Sequence, residues 1–214
     1  AMYNRLAALP LRQRVPWSQV HVWWGDDRFV PRDHPLSNVL ALDEILLNEV
    51  HGVPLPVDQV HAWPTGRAMA ANLDPDWCAN EYAAQALQAL PLDPAGLPVF
   101  DLVLLGIGPD GHILSVFPGS PAIGATRLAL GIGAPEEVEP HVPRVTFNPS
   151  ILAATPAILV MTAGAAKADV LARILDGPRR DPAGPGGLPA QLARRSSATW
   201  LIDAAAAGGL RPRG

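Results

Sequence analysis

Cysteine, positive charge and long apolar runs are all scarce in this sequence of 214 residues. The single cysteine, Cys78, excludes an intrachain disulfide and any zinc site built from several thiolates. The 16 basic residues against 20 acidic ones give a formal net charge of −4, which argues against a nucleic-acid-binding protein. No apolar run reaches the length of a membrane-spanning helix, and the first residues lack the pattern of a signal peptide. We therefore expect a cytoplasmic protein that binds neither nucleic acid nor membrane.

Apolar residues, glycine and proline are plentiful instead. Hydrophobic residues make up 49% of the sequence and charged residues 17%, which excludes intrinsic disorder and leaves ample material for a core. The 19 glycines and 24 prolines are spread along the chain, and we interpret them as turns between many short elements. Only in residues 176–189 do glycine and proline together dominate, and this composition predicts a loose stretch of chain.

Strand-like and helix-like segments alternate along the chain. Short runs rich in β-branched and aromatic residues predict strands, and apolar residues at helical spacing predict helices. The predicted strands are 19–24, 57–63, 99–105, 144–147, 157–162 and 198–202. The predicted helices are 1–9, 36–50, 76–90 and 164–175, followed by a short alanine-rich helix after the last strand. Either Asp74 or Asp76 can cap helix 76–90.

This alternation predicts a single α/β domain over residues 1–214, with a doubly wound, mainly parallel, Rossmann-like sheet and helices on both faces. Segment 99–105 is almost entirely apolar, which predicts a strand that is covered on both faces. Ligands of such sheets bind outside the carboxyl ends of the strands. The residues that directly follow predicted strands are therefore the candidates for a functional site.

Three of the predicted strand ends carry charged side chains next to glycines. These residues are Asp26, Asp27 and Arg28 after strand 19–24, Asp110 and His112 after strand 99–105, and Lys167 after strand 157–162. A histidine beside a carboxylate can accept a proton near neutral pH, and cationic side chains bind anions. The set suits proton transfer on an anionic substrate, and we expect Asp26, Arg28, His112 and Lys167 to line one cleft.

The segment that contains His112 allows other interpretations. Gly106, Gly108 and Gly111 match the G-x-G-x-x-G pattern of dinucleotide-binding turns, but residues 118–119 (Pro-Gly) stop the long helix that such a turn requires. Asp110 and His112 are potential metal ligands, but the other histidines are scattered without ligand spacing. No G-x-S-x-G pattern is present, so a serine esterase mechanism has no support.

Four segments together resemble one enzyme family. They are WWGDDRFVP at 23–31, followed by Ser37 and Asn38, GIGPDGHILSVFPGSP at 106–121, PRVTF at 143–147 and TAGAAK at 162–167. In this order and spacing they resemble the glucosamine-6-phosphate isomerase/6-phosphogluconolactonase family, and within it the lactonases. The 106–121 segment is the most specific of the four.

The resemblance implies hydrolysis of 6-phospho-D-glucono-1,5-lactone to 6-phosphogluconate in the oxidative pentose phosphate pathway. It implies His112 as the general base and Asp110 as the group that orients it. It places Arg28, Arg144 and Lys167 on the phosphate of a phosphorylated sugar lactone, with Asp26, Gly108 and Gly111 also binding substrate. Backbone N–H groups of residues 106–111, or else Arg28, stabilise the oxyanion. Neither a cofactor nor a metal is implied, and we expect a monomer or a small homo-oligomer.

Two departures from the family pattern and two alternatives stay open. Asp27 stands where the family normally has glutamate. The family has a leading strand and a Gly-Gly-Ser/Thr phosphate loop before the helix that corresponds to 1–9, and the sequence lacks both. One alternative is a sugar-phosphate deaminase or isomerase, although those enzymes have a glutamate where Phe117 stands here. The other alternative is a non-catalytic sugar-phosphate-binding domain.

Overall fold

The computed structural model describes residues 2–211, so Ala1, the first residue of predicted helix 1–9, lies outside the described residues. The α-helices are α1 Met2–Ala7, α2 Leu11–Arg14, α3 Leu40–Ile45, α4 Thr65–Ala70, α5 Pro75–Ala89, α6 Ile151–Ala154 and α7 Ala168–Leu175. The strands are β1 Val22–Trp23, β2 Asp26–Arg28, β3 Val60–His61, β4 Val103–Leu105, β5 Ala129–Ile132, β6 Arg144–Phe147, β7 Ile158–Thr162 and β8 Ala198–Ile202.

Five of the described strands form parallel pairs: β1, β3, β4, β7 and β8. Strand β1 pairs with β3, and β7 lies between β4 and β8, all in parallel. A further sheet has the order β2-β6-β5, and two isolated antiparallel bridges join Leu92 to Pro98 and Ile113 to Val116. The fold is therefore mixed α/β, as the alternation of segments predicts. None of the described helices is long and apolar enough to span a membrane.

The described chain forms two compact units. Residues 2–82 and 131–145 make up the first unit, and residues 83–130 and 146–211 make up the second. Residues 176–188 of the predicted loose stretch 176–189 contain neither helix nor strand, but Pro189 begins the short 3-10 helix Pro189–Ala193. The single domain over 1–214 stays a prediction.

Helix α3 is much shorter than the predicted helix 36–50. The side chain of Asn48 competes with helical hydrogen bonding near the end of the predicted helix, because its Oδ1 accepts from the backbone N–H groups of Val50 and His51 at 3.0 and 2.9 Å. Asparagine side chains that bond nearby backbone groups in this way favour turns over helices.

Helix α5 is capped by Asp74, one of the two aspartates predicted for this role. Asp74 Oδ1 accepts from Trp77 N at 2.8 Å.

Tyr82 of helix α5 holds strands β1 and β3 in the first unit. Its ring is fully buried, and its hydroxyl donates to the carbonyl of His61 at 2.6 Å and accepts from the N–H of Trp24 at 3.0 Å. Trp63 packs on the same ring, with the centroids 3.9 Å apart, and donates from Nε1 to Trp24 O. Tyr82 thus holds the backbone just after β1, where the chain continues into residues 25–28.

We expect Tyr82→Phe to destabilise the protein by about 1–3 kcal/mol, because the buried N–H of Trp24 and the partly buried carbonyl of His61 lose their partner. Urea unfolding measures the change. Tyr3→Phe is the matched control, since Tyr3 lies on α1 and is only half buried. An equal loss of stability in both variants would contradict the role assigned to the Tyr82 hydroxyl.

The prediction that segment 99–105 is a strand covered on both faces is wrong. The strand itself, β4, covers only Val103–Leu105, and Leu104 is 40% exposed, while Leu102 just before it is 53% exposed. Among the described strands β4 pairs only with β7, so it is the edge of its sheet. On the opposite face, Leu105 and Val160 are buried.

Candidate active site

His112 lies at the end of a tight glycine turn that follows β4. The N–H of Gly108 donates to the carbonyl of His112 at 2.9 Å, and the N–H of Gly111 donates to the carbonyl of Gly108 at 3.1 Å. Gly111 has φ +90°, a left-handed conformation that favours glycine. Gly108 must also be glycine, because a Cβ there would lie 2.0 Å from His112 Nδ1 and 2.5 Å from Asp110 Oδ1. The turn therefore leaves room for the histidine ring directly over its own backbone.

Asp110 and His112 form a hydrogen-bonded pair within this turn. Asp110 Oδ1 lies 2.6 Å from His112 Nδ1, and the two side chains are 29% and 17% exposed. Burial alone raises the pKa of Asp110, but the hydrogen bonds and charge of His112 outweigh it and hold that pKa below its ordinary value. An ionised Asp110 accepts the proton of Nδ1, which leaves the lone pair of a neutral imidazole on Nε2.

Lys167 reaches the same turn from the loop after β7. Its Nζ donates to the carbonyl of Ile107 at 2.8 Å. Lys167 is the N-terminal capping residue of α7, after a single 3-10 turn at Ala165–Lys167, and it does not lie in the first turn of a continuous helix 164–175. It is also the one lysine of the sequence.

Asp203, which follows β8, anchors the loop that carries Lys167. Both of its carboxylate oxygens accept from the N–H of Gly164, at 3.0 and 3.1 Å, and Oδ1 also accepts from Ala206 N. These hydrogen bonds lower the pKa of Asp203. Gly164 O in turn accepts from Lys167 N at 3.0 Å. Asp203 is not among the residues predicted from the sequence, although the rule on strand ends applies equally to the residue after strand 198–202.

In the first unit, strand β2 holds Asp26 and Arg28. Arg28 Nη1 donates to the carbonyl of Leu36 at 3.3 Å and to Asn38 Oδ1. Asn38 Nδ2 donates back to the carbonyl of Asp26 at 3.0 Å. Arg28 Nε is buried and has no hydrogen-bond partner among the described residues.

Asp27 lies between these two residues and is only 2% exposed. Its Oδ1 accepts from the N–H groups of Asn38 and Arg28 at 2.7 and 2.8 Å, and its Oδ2 accepts from Ser37 Oγ at 3.1 Å. Burial raises the pKa of Asp27 to about 6, against the opposing effect of these hydrogen bonds. Asp27 has no separate role among the residues predicted from the sequence, and nothing in its sequence position indicates that it is buried.

Arg144 is a buried charged residue among the predicted site residues. It lies on β6, is 3% exposed, and donates from Nη2 to the carbonyl of Pro140 at 3.3 Å. Its predicted contact with a phosphate stays a prediction.

The predicted site residues thus form two groups. In the second unit Asp110, His112 and Lys167 meet at the 106–112 turn, and in the first unit Asp26 and Arg28 share Asn38 as a partner. The single cleft expected for all of them stays a prediction. Within residues 2–211 there is no group of three or more histidine, cysteine or acidic side chains that could hold a metal ion.

Comparison with known proteins gives a consistent result. The 6-phosphogluconolactonase of Streptomyces coelicolor is 35% identical over 209 residues, which cover 96% of this chain and 76% of the relative. The 6-phosphogluconolactonase of Mycobacterium tuberculosis is 35% identical over 92% of this chain and 76% of its own length.

Solved structures agree at the level of the fold and the sequence. The 6-phosphogluconolactonase from Trypanosoma brucei matches with a TM-score of 0.79 and 28% identity, covering 98% of this chain and 81% of that one. The enzyme from Leishmania guyanensis gives a TM-score of 0.81 at 26% identity, covering 99% and 82%. The family model for glucosamine-6-phosphate isomerases/6-phosphogluconolactonase matches residues 1–201. The chain belongs to the glucosamine-6-phosphate isomerase/6-phosphogluconolactonase family.

Proposed function

We propose that the protein hydrolyses 6-phospho-D-glucono-1,5-lactone to 6-phosphogluconate, the lactonase step of the oxidative pentose phosphate pathway. The observation that carries the proposal is the Asp110–His112 pair, 2.6 Å apart in a glycine turn at the carboxyl end of β4. The relatives named above at 35% identity are lactonases, which supports the same reaction. We further propose the doubly wound arrangement, with helices on both faces, for the sheet that presents this turn.

His112 begins the reaction as a general base. With Asp110 accepting the Nδ1 proton, Nε2 takes a proton from water as the water oxygen attacks the lactone carbonyl carbon. The C=O electron pair moves onto oxygen and forms a tetrahedral oxyanion. Asp110 stabilises the imidazolium that results, because its negative charge lies next to the ring.

Collapse of the intermediate completes the hydrolysis. The carbonyl re-forms, the bond from that carbon to the ring oxygen breaks, and the Nε2 proton passes to the leaving oxygen. The N–H groups of Gly108 and Gly111 already donate inside the turn, so they shape the site and do not bind the oxyanion in this conformation. Arg28 is the alternative oxyanion donor.

Cationic groups hold the substrate phosphate in this proposal. Lys167 uses one N–H on Ile107 O and has further donors for phosphate oxygens. Arg28 and Arg144 are the other candidates, and Asp26 contacts the sugar. Phe117, whose ring centroid lies 4.7 Å from that of His112, stands where a deaminase has a carboxylate.

Two assays test the proposal against its alternatives. We expect the protein to accelerate hydrolysis of freshly prepared 6-phosphogluconolactone above the spontaneous rate, and to release no ammonia from glucosamine 6-phosphate. Ammonia release without lactone hydrolysis would replace the lactonase by a deaminase. Binding of both compounds with no turnover would indicate a sugar-phosphate-binding domain.

We also expect activity to survive metal removal, because the proposed steps use only protein side chains and water. Exhaustive dialysis against EDTA, followed by assay in metal-free buffer, should leave kcat/KM unchanged. A known zinc hydrolase dialysed in parallel shows that the chelation works. Loss of activity that added divalent metal restores would contradict the mechanism.

A further inference from the structure

We infer that Asp27 and Asn38 are positioning residues that hold the guanidinium of Arg28 in one orientation for the substrate. The inference rests on the proposed function, in which Arg28 binds the phosphorylated lactone. It adds two residues to that site, neither of which touches the substrate.

The contacts form a continuous chain from a buried carboxylate to the guanidinium. Asp27 Oδ1 fixes the backbone at both Arg28 and Asn38 by accepting their N–H groups. The side chain of Asn38 then accepts from Arg28 Nη1 and donates to the carbonyl of Asp26. Arg28 is therefore held at its backbone and at its side chain by the same two residues.

The amide of Asn38 is the group that this geometry requires. Its oxygen accepts from a cation while its nitrogen donates to a carbonyl, and only an amide side chain offers both at this length. Alanine would release Nη1 from its side-chain partner and leave only the longer bond to Leu36 O. An arginine that is oriented before the substrate arrives loses less conformational freedom on binding.

The burial of Asp27 supports a specific role. A buried carboxylate is costly unless it is fully hydrogen-bonded, and all the hydrogen bonds described above for Asp27 go to residues 28, 37 and 38. The carboxylate thus connects β2 to the segment that begins α3. Space filling alone would be served better by an apolar side chain.

A double-mutant cycle tests whether Asn38 acts through Arg28. We expect Asn38→Ala to raise KM for 6-phosphogluconolactone about tenfold with little change in kcat, the scale of one charge-assisted hydrogen bond. Arg28→Ala should raise KM at least as much, and the double variant should match Arg28→Ala. Asn48→Ala is the matched control, because that side chain bonds only its own loop in the contacts described above.

The outcomes separate the inference from the proposed function. If Arg28→Ala raises KM and Asn38→Ala multiplies that effect in the double variant, Asn38 does not act through Arg28 and the inference fails, while the proposed function stands. If Arg28→Ala leaves KM unchanged, the binding role of Arg28 fails and the inference fails with it. Thermal unfolding of each variant shows whether any KM effect is merely lost folding.

Asp27→Asn provides a second readout, because it keeps the shape and removes the charge. The charged and titratable groups around Asp27 are Asp26 and Arg28 on its own strand and Cys78 and Tyr82 on α5. In the wild type, KM should rise as the pH falls through about 6, because protonation removes the negative charge that strengthens the hydrogen bonds accepted by Asp27. Any pH effect that does not involve Asp27 affects both proteins alike.

The comparison of the two pH profiles decides the role of Asp27. We expect KM of Asp27→Asn to be raised at neutral pH and to depend less on pH than that of the wild type. Parallel profiles, with KM changed by a constant factor or not at all, would overturn the positioning role. The pH range for the comparison is about one unit either side of the Asp27 pKa of about 6.

Discussion

Replacement of His112 by asparagine should lower kcat about 100-fold or more and leave KM nearly unchanged, since a general base contributes roughly 10²–10⁴-fold in the transition state. Asparagine keeps an N–H that can donate to Asp110, so the turn retains its hydrogen bond, but the variant has no group that accepts a proton from water. Steady-state kinetics, corrected for spontaneous lactone hydrolysis, measure the loss.

The control for His112→Asn is the same change at His51, an exposed histidine in the first unit. His51→Asn should behave as the wild type. Circular dichroism and thermal unfolding establish that both variants fold. A folded His112→Asn protein with nearly wild-type kcat would exclude His112 as the base, whatever the family relationship.

Lys167→Ala should weaken activity on the phosphorylated lactone through KM, about ten- to a hundredfold, because a charge-assisted hydrogen bond is worth roughly 1.5–3 kcal/mol. The phosphate is remote from the lactone carbonyl, so its contacts act equally in the ground and transition states. Unphosphorylated gluconolactone should therefore be hydrolysed by Lys167→Ala as well as by the wild type. The measurement compares the fold-loss of activity on the phosphorylated lactone with the fold-loss on gluconolactone.

Two further variants make this result specific. Lys167→Arg keeps the charge and should recover part of the binding, and Arg173→Ala removes an exposed charge from the same helix α7 and should change nothing. Arg144→Ala belongs in the same series. Equal losses on both lactones would mean that the residue supports the fold, and the 3% exposure of Arg144 makes it the more sensitive test of that alternative.

The sequence predicts the places of the candidate residues better than the extent of the elements. His112 and Lys167 each follow a predicted strand, and in the structure Lys167 Nζ contacts the turn that carries His112. Such proximity is predictable because strand-forming residue types are a local property and the rule on carboxyl ends is a topological one. The length of α3 depends on whether the Asn48 side chain bonds the backbone, and periodicity does not report this competition. The exposure of Leu104 depends on what packs against that face of β4, which the apolar composition of the strand cannot show.

Dependence on neighbours in the fold also explains why the burial of Asp27 is not predictable from the sequence. In the sequence it is one of two adjacent aspartates, and their residue type does not show which of them is buried. In the structure Asp27 is buried with three donors, while the Asp26 carbonyl receives the Asn38 amide. Burial of a charged group is a property of the folded surroundings, so its raised pKa emerges only from the three-dimensional structure.

Because Lys167 is the one lysine of the sequence, its ε-amino group is a unique chemical handle. Apart from the chain's amino terminus, an acylating reagent or an aldehyde finds a primary amine only here, where Nζ rests on Ile107 O beside the histidine turn. Amine coupling to a sensor chip or a resin therefore tethers the molecule at the turn that we propose as the catalytic site. A dye attached by acylation replaces the ammonium that we propose for phosphate binding, so labelling at Lys167 should weaken binding of the phosphorylated lactone as Lys167→Ala does.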